Sequence, residues 1–340
     1  MPTHANKPAR SRRFLNTARL GVAAVLPIVA AGAVAGPALA TPQGSARYSF
    51  TTLDNQADPT FNQLLGINQR GLIAGYFGSG MVGHPNQGYL LTAPYGQQNY
   101  HSENWPESTQ TQVTGLNDRG VTVGFWSSTN KGGGDDNRAF VSVHGYFIDG
   151  DFPTNSPASP PVDQLLGVND HNVAVGFYND VNGDTHAYSF DIRRNQFNEI
   201  MPAGISGPTA AAINNRGDVA GFGTDATSDA SNGSTVGYLL RPNGRVTVLS
   251  VPGSILTQAL GINGDREVVG FYQTGSKDNP MTHGFTWTPW GGFQTVDDPN
   301  GAGATPINGV NDQGQLVGFY TDSANNTDGL LASPSHHHRD

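Results

Sequence analysis

The side chains that could do chemistry are few and scattered. Asp180-Val181-Asn182-Gly183-Asp184 sets three oxygen-bearing side chains, Asp180, Asn182 and Asp184, around a tight turn. A hard cation such as calcium favours converging carboxylate and carbonyl oxygens of this kind. A full calcium loop places its glycine after the third acidic position and adds a downstream carboxylate. Here Gly183 precedes Asp184, so calcium competes with an ordinary Asn-Gly turn flanked by solvated acids. His186 and His283 can serve as ligands or general bases, or brace a neighbouring loop through a hydrogen bond. Trp126, Tyr178, Tyr272 and Tyr320 can stack on sugar rings or other flat ligands, or fill the space between packed sheets. His336-His337-His338 sits in a short tail, 336–340. The chain has no Gly-x-Ser-x-Gly elbow, His-Glu-x-x-His pair, phosphate loop or dinucleotide fingerprint, so no catalytic signature is carried by motif.

These residues sit in a repeat. Gly66-Ile67-Asn68-Gln69-Arg70-Gly71-Leu72-Ile73-Ala74-Gly75-Tyr76 is one of six copies; the others centre on Asn117, Asn169, Asn214, Asn263 and Asn311. A glycine lies seven positions after each Asn (Gly75, Gly124, Gly176, Gly221, Gly270, Gly318), and an aromatic follows each glycine. The period is roughly 50 residues, the signature of a closed or stacked array of supersecondary units. Within a copy, a short apolar run leads to the Asn, a turn follows, and an alternating run such as Val121-Thr122-Val123-Gly124-Phe125 completes a β-hairpin. The turn is Asn-x-x-Gly, in which Asn bonds its own backbone and glycine accepts positive φ. Asn172 and Arg266 replace the glycine in two copies. Asn tolerates the left-handed region; Arg does so poorly, and Gly264 is placed to relieve it. A third strand opens with a small residue and an aromatic, as in Ala187-Tyr188 and Gly284-Phe285, and a fourth follows, as in Phe293-Gln294-Thr295-Val296.

Four antiparallel strands make one blade of a β-propeller. The sixth copy ends after its third strand, Gly329-Leu330-Leu331-Ala332, while an orphan strand, Tyr48 to Asp54, precedes the first copy. The expected fold is therefore an all-β, six-bladed β-propeller of four antiparallel strands per blade, spanning 41–335, with the N-terminal strand completing the last blade and removing exposed edges. Connections between second and third strands, and between fourth and first, vary widely and emerge on one face. Function sits most readily on such loops.

Repeats of Gly-Ile-Asn-x-x-Gly-x-x-Val-Gly-Phe-Tyr followed by His-Gly-Phe resemble the bacterial extracellular repeats of the HAF family. The best copies are Gly261-Ile262-Asn263 through Gly270-Phe271-Tyr272 with His283-Gly284-Phe285, and Gly309-Val310-Asn311 through Gly318-Phe319-Tyr320. The resemblance covers nearly all of 48–333. It implies a secreted β-propeller and carries no single chemistry. Gln87, Arg138, Val236 and Asp328 stand where the repeat's histidine would be; only His186 and His283 keep it.

Residues 1–40 have the pattern of a cleaved export signal. Lys7, Arg10, Arg12, Arg13 and Arg19 give a positive start, Leu20 to Ala35 is apolar, and Ala38-Leu39-Ala40 fits a signal-peptidase site. Ser11-Arg12-Arg13-Phe14-Leu15 resembles a twin-arginine signal, so either the secretory or the twin-arginine route is open. The net charge is −9, and removing that basic segment makes the remainder more acidic. Nucleic acid and anionic membrane both reward basic patches, so neither is expected as a partner. There is no cysteine, leaving burial and sheet hydrogen bonds to hold an exported fold. The sequence favours a secreted, monomeric module that binds an extracellular carbohydrate or protein through its variable face, with Trp126, Tyr178, His186, Tyr272, His283 and Tyr320 as candidate contacts. The alternative is a polysaccharide-active hydrolase or lyase with its site at the channel mouth.

Overall fold

A computed structural model describes residues 47–154, 156–226 and 234–335. The expected signal and the 336–340 tail lie outside them. Among the described residues no helix is long and apolar enough to cross a membrane.

Six four-stranded antiparallel sheets form a six-bladed β-propeller. Blade 3 shows the unit: Asp163–Val168, Val173–Asn179, Thr185–Asp191 and Gln196–Ile200, paired in sequence order. Blades 1, 2, 4 and 5 repeat it over 62–102, 110–149, 205–249 and 256–296. Blade 6 is Ile307–Val310, Leu316–Thr321 and Thr327–Pro334, and its fourth strand is Tyr48–Thr52 from the other end of the chain. Tyr48 pairs with Pro334 and Thr52 with Leu330, as expected for closure through the N-terminal strand.

The repeated Asn explains why every copy needs it. Asn169 Oδ1 accepts the N–H groups of His171 and Val173 at 3.0 and 3.1 Å. This closes the turn between first and second strands. Its Nδ2 donates to the Asn214 carbonyl of the next blade. The same donation runs from each of the six Asn to the next, at 2.9–3.2 Å, and Asn311 returns it to Asn68. A buried ring of side-chain amides therefore ties all six blades together around the axis.

The repeated glycine has a steric cause. Each first strand carries a one-residue bulge three positions before the Asn, at Leu65, Thr114, Leu166, Ala211, Leu260 and Asn308. Two residues earlier, the strand carbonyl presses on the second-strand glycine. A Cβ on Gly176 or Gly270 would run into the carbonyl of Gln164 or Gln258, and one on Gly124 would also meet the Phe140 ring at 2.9 Å.

One hydrophobic cluster fills each of the six gaps between blades. Alternation of side chains along the second strand makes this possible. The left-handed turn position has φ of 60–77° in every copy. Gly264 does not take over the strain in the fifth. Arg266 itself adopts φ 65°, and its Nε and Nη2 clasp the buried Asp218 of blade 4 at 2.8 and 3.3 Å.

Candidate functional site

The blade pattern divides the molecule into two unlike faces. First-to-second and third-to-fourth turns emerge on one, the turn face. Second-to-third and fourth-to-first connections emerge on the other, the loop face. Toward the loop face every blade has an equivalent residue in the first half of its third strand: Gln87, Arg138, His186, Val236, His283 and Asp328, of which Val236 and Asp328 are buried. Beside it lies the residue that follows the fourth strand. In four blades this is a capping carboxylate or amide, whose oxygen accepts the backbone N–H of the third strand's small residue. Asn104 caps Gly88, Asp151 caps Ala139, Asp297 caps Gly284 and Asp54 caps Gly329 at 2.7–3.2 Å.

A second staple joins blades on this face. Six positions before the repeated Asn, a side-chain oxygen accepts the N–H of the residue just after the cap position. The acceptors are Asn62, Thr111, Asp163, Thr257 and Thr305, at 2.7–3.2 Å; Pro208 of blade 4 has no such oxygen. Neither staple is apparent from periodicity, because donor and acceptor lie in different strands and the residue type varies. The recurring Thr six before Asn117, Asn263 and Asn311 was the available signal.

His283 is the best-built polar group of the face. Its Nδ1 lies 2.8 Å from Asp297 Oδ2 and its Nε2 3.2 Å from Thr274 Oγ1. With the Nδ1 proton given to Asp297, Nε2 is left to accept the Thr274 hydroxyl, which is the tautomer a general base requires. The ring stacks on Tyr272 at 5.2 Å and is about one-fifth exposed. In blade 3, Met201 stands where Asp297 does, and His186 has no such partner. His186 Nε2 is 3.5 Å from the Asp180 carboxylate without hydrogen-bond alignment, and the ring stacks on Tyr178 at 4.9 Å. In blade 2, Arg138 reaches Asp151 at 3.3 Å.

The four aromatics do not form one platform. They occupy four different blades, and each is engaged in packing. Trp126 stacks on Trp105 at 5.1 Å, and Tyr178 on Phe152 at 4.6 Å. Tyr178 and Tyr320 are buried, while Trp126 and Tyr272 are half-buried. The Tyr320 hydroxyl shares a hydrogen bond with the Thr52 hydroxyl of the closing strand, 2.9 Å away. Burial pushes the Tyr178 and Tyr320 hydroxyls up to about 12. Of these rings only Trp126 and Tyr272 keep surface open to a stacking ligand.

The Asp180 loop closes on itself. Asp180 Oδ1 accepts the N–H groups of Asn182 and Asp184 at 2.8 and 3.0 Å, and these bonds hold its carboxyl below the usual carboxylate range. Asp322 does the same with Ala324 and Asn326 in blade 6. Recurrence at an equivalent place marks a turn device. Among the described residues no three His, Cys, Asp or Glu side chains converge as a metal site.

Carboxylates crowd elsewhere on the loop face. Burial, followed by Asp149, pushes Asp151 up to about 6. Burial, with Asp328 and Asp322 nearby, pushes Asp54 up to about 6 as well. Asp163, buried and 2.6 Å from the Tyr188 hydroxyl, is driven well above the ordinary range by burial and by Asp151.

Among solved structures the chain follows the path of other proteins at low identity. Aleuria aurantia lectin in complex with Fucalpha1-6GlcNAc is 10% identical, with a TM-score of 0.49 over 82% of this chain and 95% of that one. Virginiamycin B lyase from Staphylococcus aureus with quinupristin is 8% identical, with a TM-score of 0.43 over 83% and 99%. TolB from Acinetobacter baumannii is 11% identical, with a TM-score of 0.45 over 83% and 66%. No protein-family model and no curated protein matches the chain.

Proposed function

We propose that this chain is an exported β-propeller that binds an extracellular carbohydrate through its loop face. One observation carries the reading. The scaffold residues repeat around the ring, whereas the third-strand position on the loop face carries Gln87, Arg138, His186, Val236, His283 and Asp328 in turn. A site that distinguishes ligands must come from residues that differ among blades. Arg138 and His283 each stand beside a carboxylate and opposite a half-buried aromatic, Trp126 and Tyr272, on the neighbouring strand, a combination suited to hydroxyl-rich rings. The resemblance to HAF repeats supports export, as does the basic and apolar start of the chain.

The test is a panel of soluble glycans titrated against the protein by calorimetry. Binding of one glycan class, weakened at least tenfold by Arg138→Ala or His283→Ala, is the expected result. Silence across the panel at millimolar ligand would remove the carbohydrate reading and turn attention to protein ligands. Export is checked separately by sequencing the N-terminus of protein recovered from culture medium, expected at Thr41.

The Thr274–His283–Asp297 relay favours a second reading, a polysaccharide-active hydrolase or lyase with His283 as general base. Incubation with polysaccharides followed by mass spectrometry distinguishes the two. New oligosaccharides, lost in His283→Asn, make it an enzyme; an unchanged substrate that nevertheless binds leaves the binding module.

A further inference from the structure

The axis of the ring holds a cavity of about 260 Å³ lined by the first strands of all six blades. The residue before each repeated Asn supplies Ile67, Leu116, Val168, Ile213, Ile262 and Val310, an unbroken aliphatic belt. The bulged positions add Leu65, Leu166 and Leu260. No charged side chain lines the cavity. Apart from Gln258, its polar side chains are bonded to the protein. Thr114 Oγ1 lies 2.7 Å from the Leu165 carbonyl, Asn308 Nδ2 donates to Leu64, and Gln273 Nε2 donates to Thr282. Buried water needs two to four polar partners, so such a space is poorly wetted and suited to hydrocarbon.

The turn-face end of the axis is different. A second set of bonds runs through the residue after the Asn at five of the six blade junctions. The backbone N–H groups of Gln69, Asp118 and Asp170 donate to the next blade's Asp118, Asp170 and Asn215 side chains, and Gly264 and Asp312 donate to Asp312 and Gln69. These bonds gather Asp118, Asp170 and Asp312 at the turn-face end of the axis. Burial raises the Asp118 carboxyl, and Asp170 and, more weakly, Asp312 raise it further, against the Gln69 N–H and the Arg70 guanidinium, as expected of carboxylates that feel one another.

We infer that the channel is a binding site for an aliphatic chain of roughly eight to ten carbons, sized against apolar cavities of about 150 Å³ that hold benzene. The chain lies within the Ile67–Val310 belt, and a cationic head group sits at the carboxylate mouth. Leu256, Gln258 and Gln273 carry the cavity on toward the loop face, but the inference does not depend on the function proposed for that face.

The test titrates alkyltrimethylammonium ions of six to fourteen carbons, each below its micelle concentration, at low salt. Alkyl sulfates of matched length and tetramethylammonium serve as comparisons. Affinity is expected to tighten about fourfold per methylene, the hydrophobic increment, and then to level off near ten carbons. Cations should bind more tightly than sulfates, and the gap should close in 1 M salt. Val168→Phe, which fills the belt, should abolish binding. Asp118→Asn with Asp312→Asn, which keeps both acceptor oxygens, should equalise the two heads while preserving the chain-length slope; it covers the case in which Val168→Phe does not fold. Absence of binding at all lengths overturns the inference. So does equal binding of tetramethylammonium, an affinity that climbs past fourteen carbons, or binding untouched by a folded Val168→Phe. A preference for sulfates overturns the head-group assignment.

Discussion

Arg266 and Asp218 show how much one residue pair can decide. Arg266 is the one copy of the turn in which a long side chain occupies the left-handed position, and it stays because its guanidinium meets a carboxylate with no exposed surface. Removing the cation leaves that carboxylate unpaired, so Arg266→Gly should destabilise the fold by about 3 kcal/mol even though glycine suits the backbone better. The double change Arg266→Gly with Asp218→Val makes both turns resemble that of blade 2, where Gly120 and Val121 stand. It should recover wild-type stability in urea. A double variant no better than the single would show that the pair is not what holds the turn. Asp54 carries a pH prediction. Its folded pKa of about 6 lies above its ordinary 3.8, so the folded state holds the proton more tightly than the unfolded chain. The stabilisation is complete below about pH 3.8 and lost as pH rises through 6, which places the loss between pH 4 and pH 7. Asn104 already does the same capping work in blade 1, so Asp54→Asn should keep the fold. In that variant the fall in Tm between pH 5 and pH 7.5 should shrink by roughly 2 °C. The Asp180 turn is self-satisfied, so neither calcium nor chelator is expected to move Tm; a rise with calcium would restore the cation site.

At the scale of the strand, the repeat was legible because its causes recur in register. Asn169 must close the same turn as Asn117, and Gly176 must clear the same carbonyl as Gly124, so residue type and spacing persist. Six blades, the hairpins and the closing strand could therefore be read directly. The bulge at Leu166 was hidden, because one extra residue leaves the Asn-to-glycine spacing unchanged. The caps at Asp54, Asp151 and Asp297 were hidden because each acts across to another strand and blade 1 uses Asn104 instead. The engagement of Tyr178 and Tyr320 was equally invisible, since only tertiary packing decides whether a ring at a strand end faces solvent. The glycine argument gives a direct test. Gly221→Ala would set a methyl against the Thr209 carbonyl and 2.5 Å from the Tyr238 hydroxyl, and should cost about 3 kcal/mol. Gly303 has nothing within 4 Å and no positive φ, so Gly303→Ala should be neutral or stabilise by about 0.5 kcal/mol. Chemical denaturation of the pair checks both; equal effects would mean that the repeated glycine is kept for some reason other than space.

For the whole molecule the question is how a ring of six similar units becomes one cooperative body without a disulfide. Two kinds of contact close it. On the turn face, Asn311 donates to Asn68 and Asp312 to Gln69, so blade 6 holds blade 1 as every other blade holds its neighbour. Within blade 6, Tyr48–Thr52 supplies the outer strand, the Leu53 N–H donates to the Gly329 carbonyl, and the Gly329 N–H donates to the Asp54 carboxylate. Loss of the N-terminal strand would leave the Asn ring intact but expose the edge of Thr327–Pro334 and uncover Leu330 and Leu331, which are now buried. An exposed hydrophobic edge pairs with whatever edge it meets. A chain beginning after Leu53 should therefore lose its single unfolding transition, melt at least 10 °C lower and self-associate on a sizing column. A synthetic peptide of residues 47–55 should restore the monomer and much of the Tm, because the missing strand contributes pairing that no other segment supplies. If the truncated chain remains monomeric and melts in one step at the original temperature, closure rests on the amide ring alone and the strand exchange is incidental to stability.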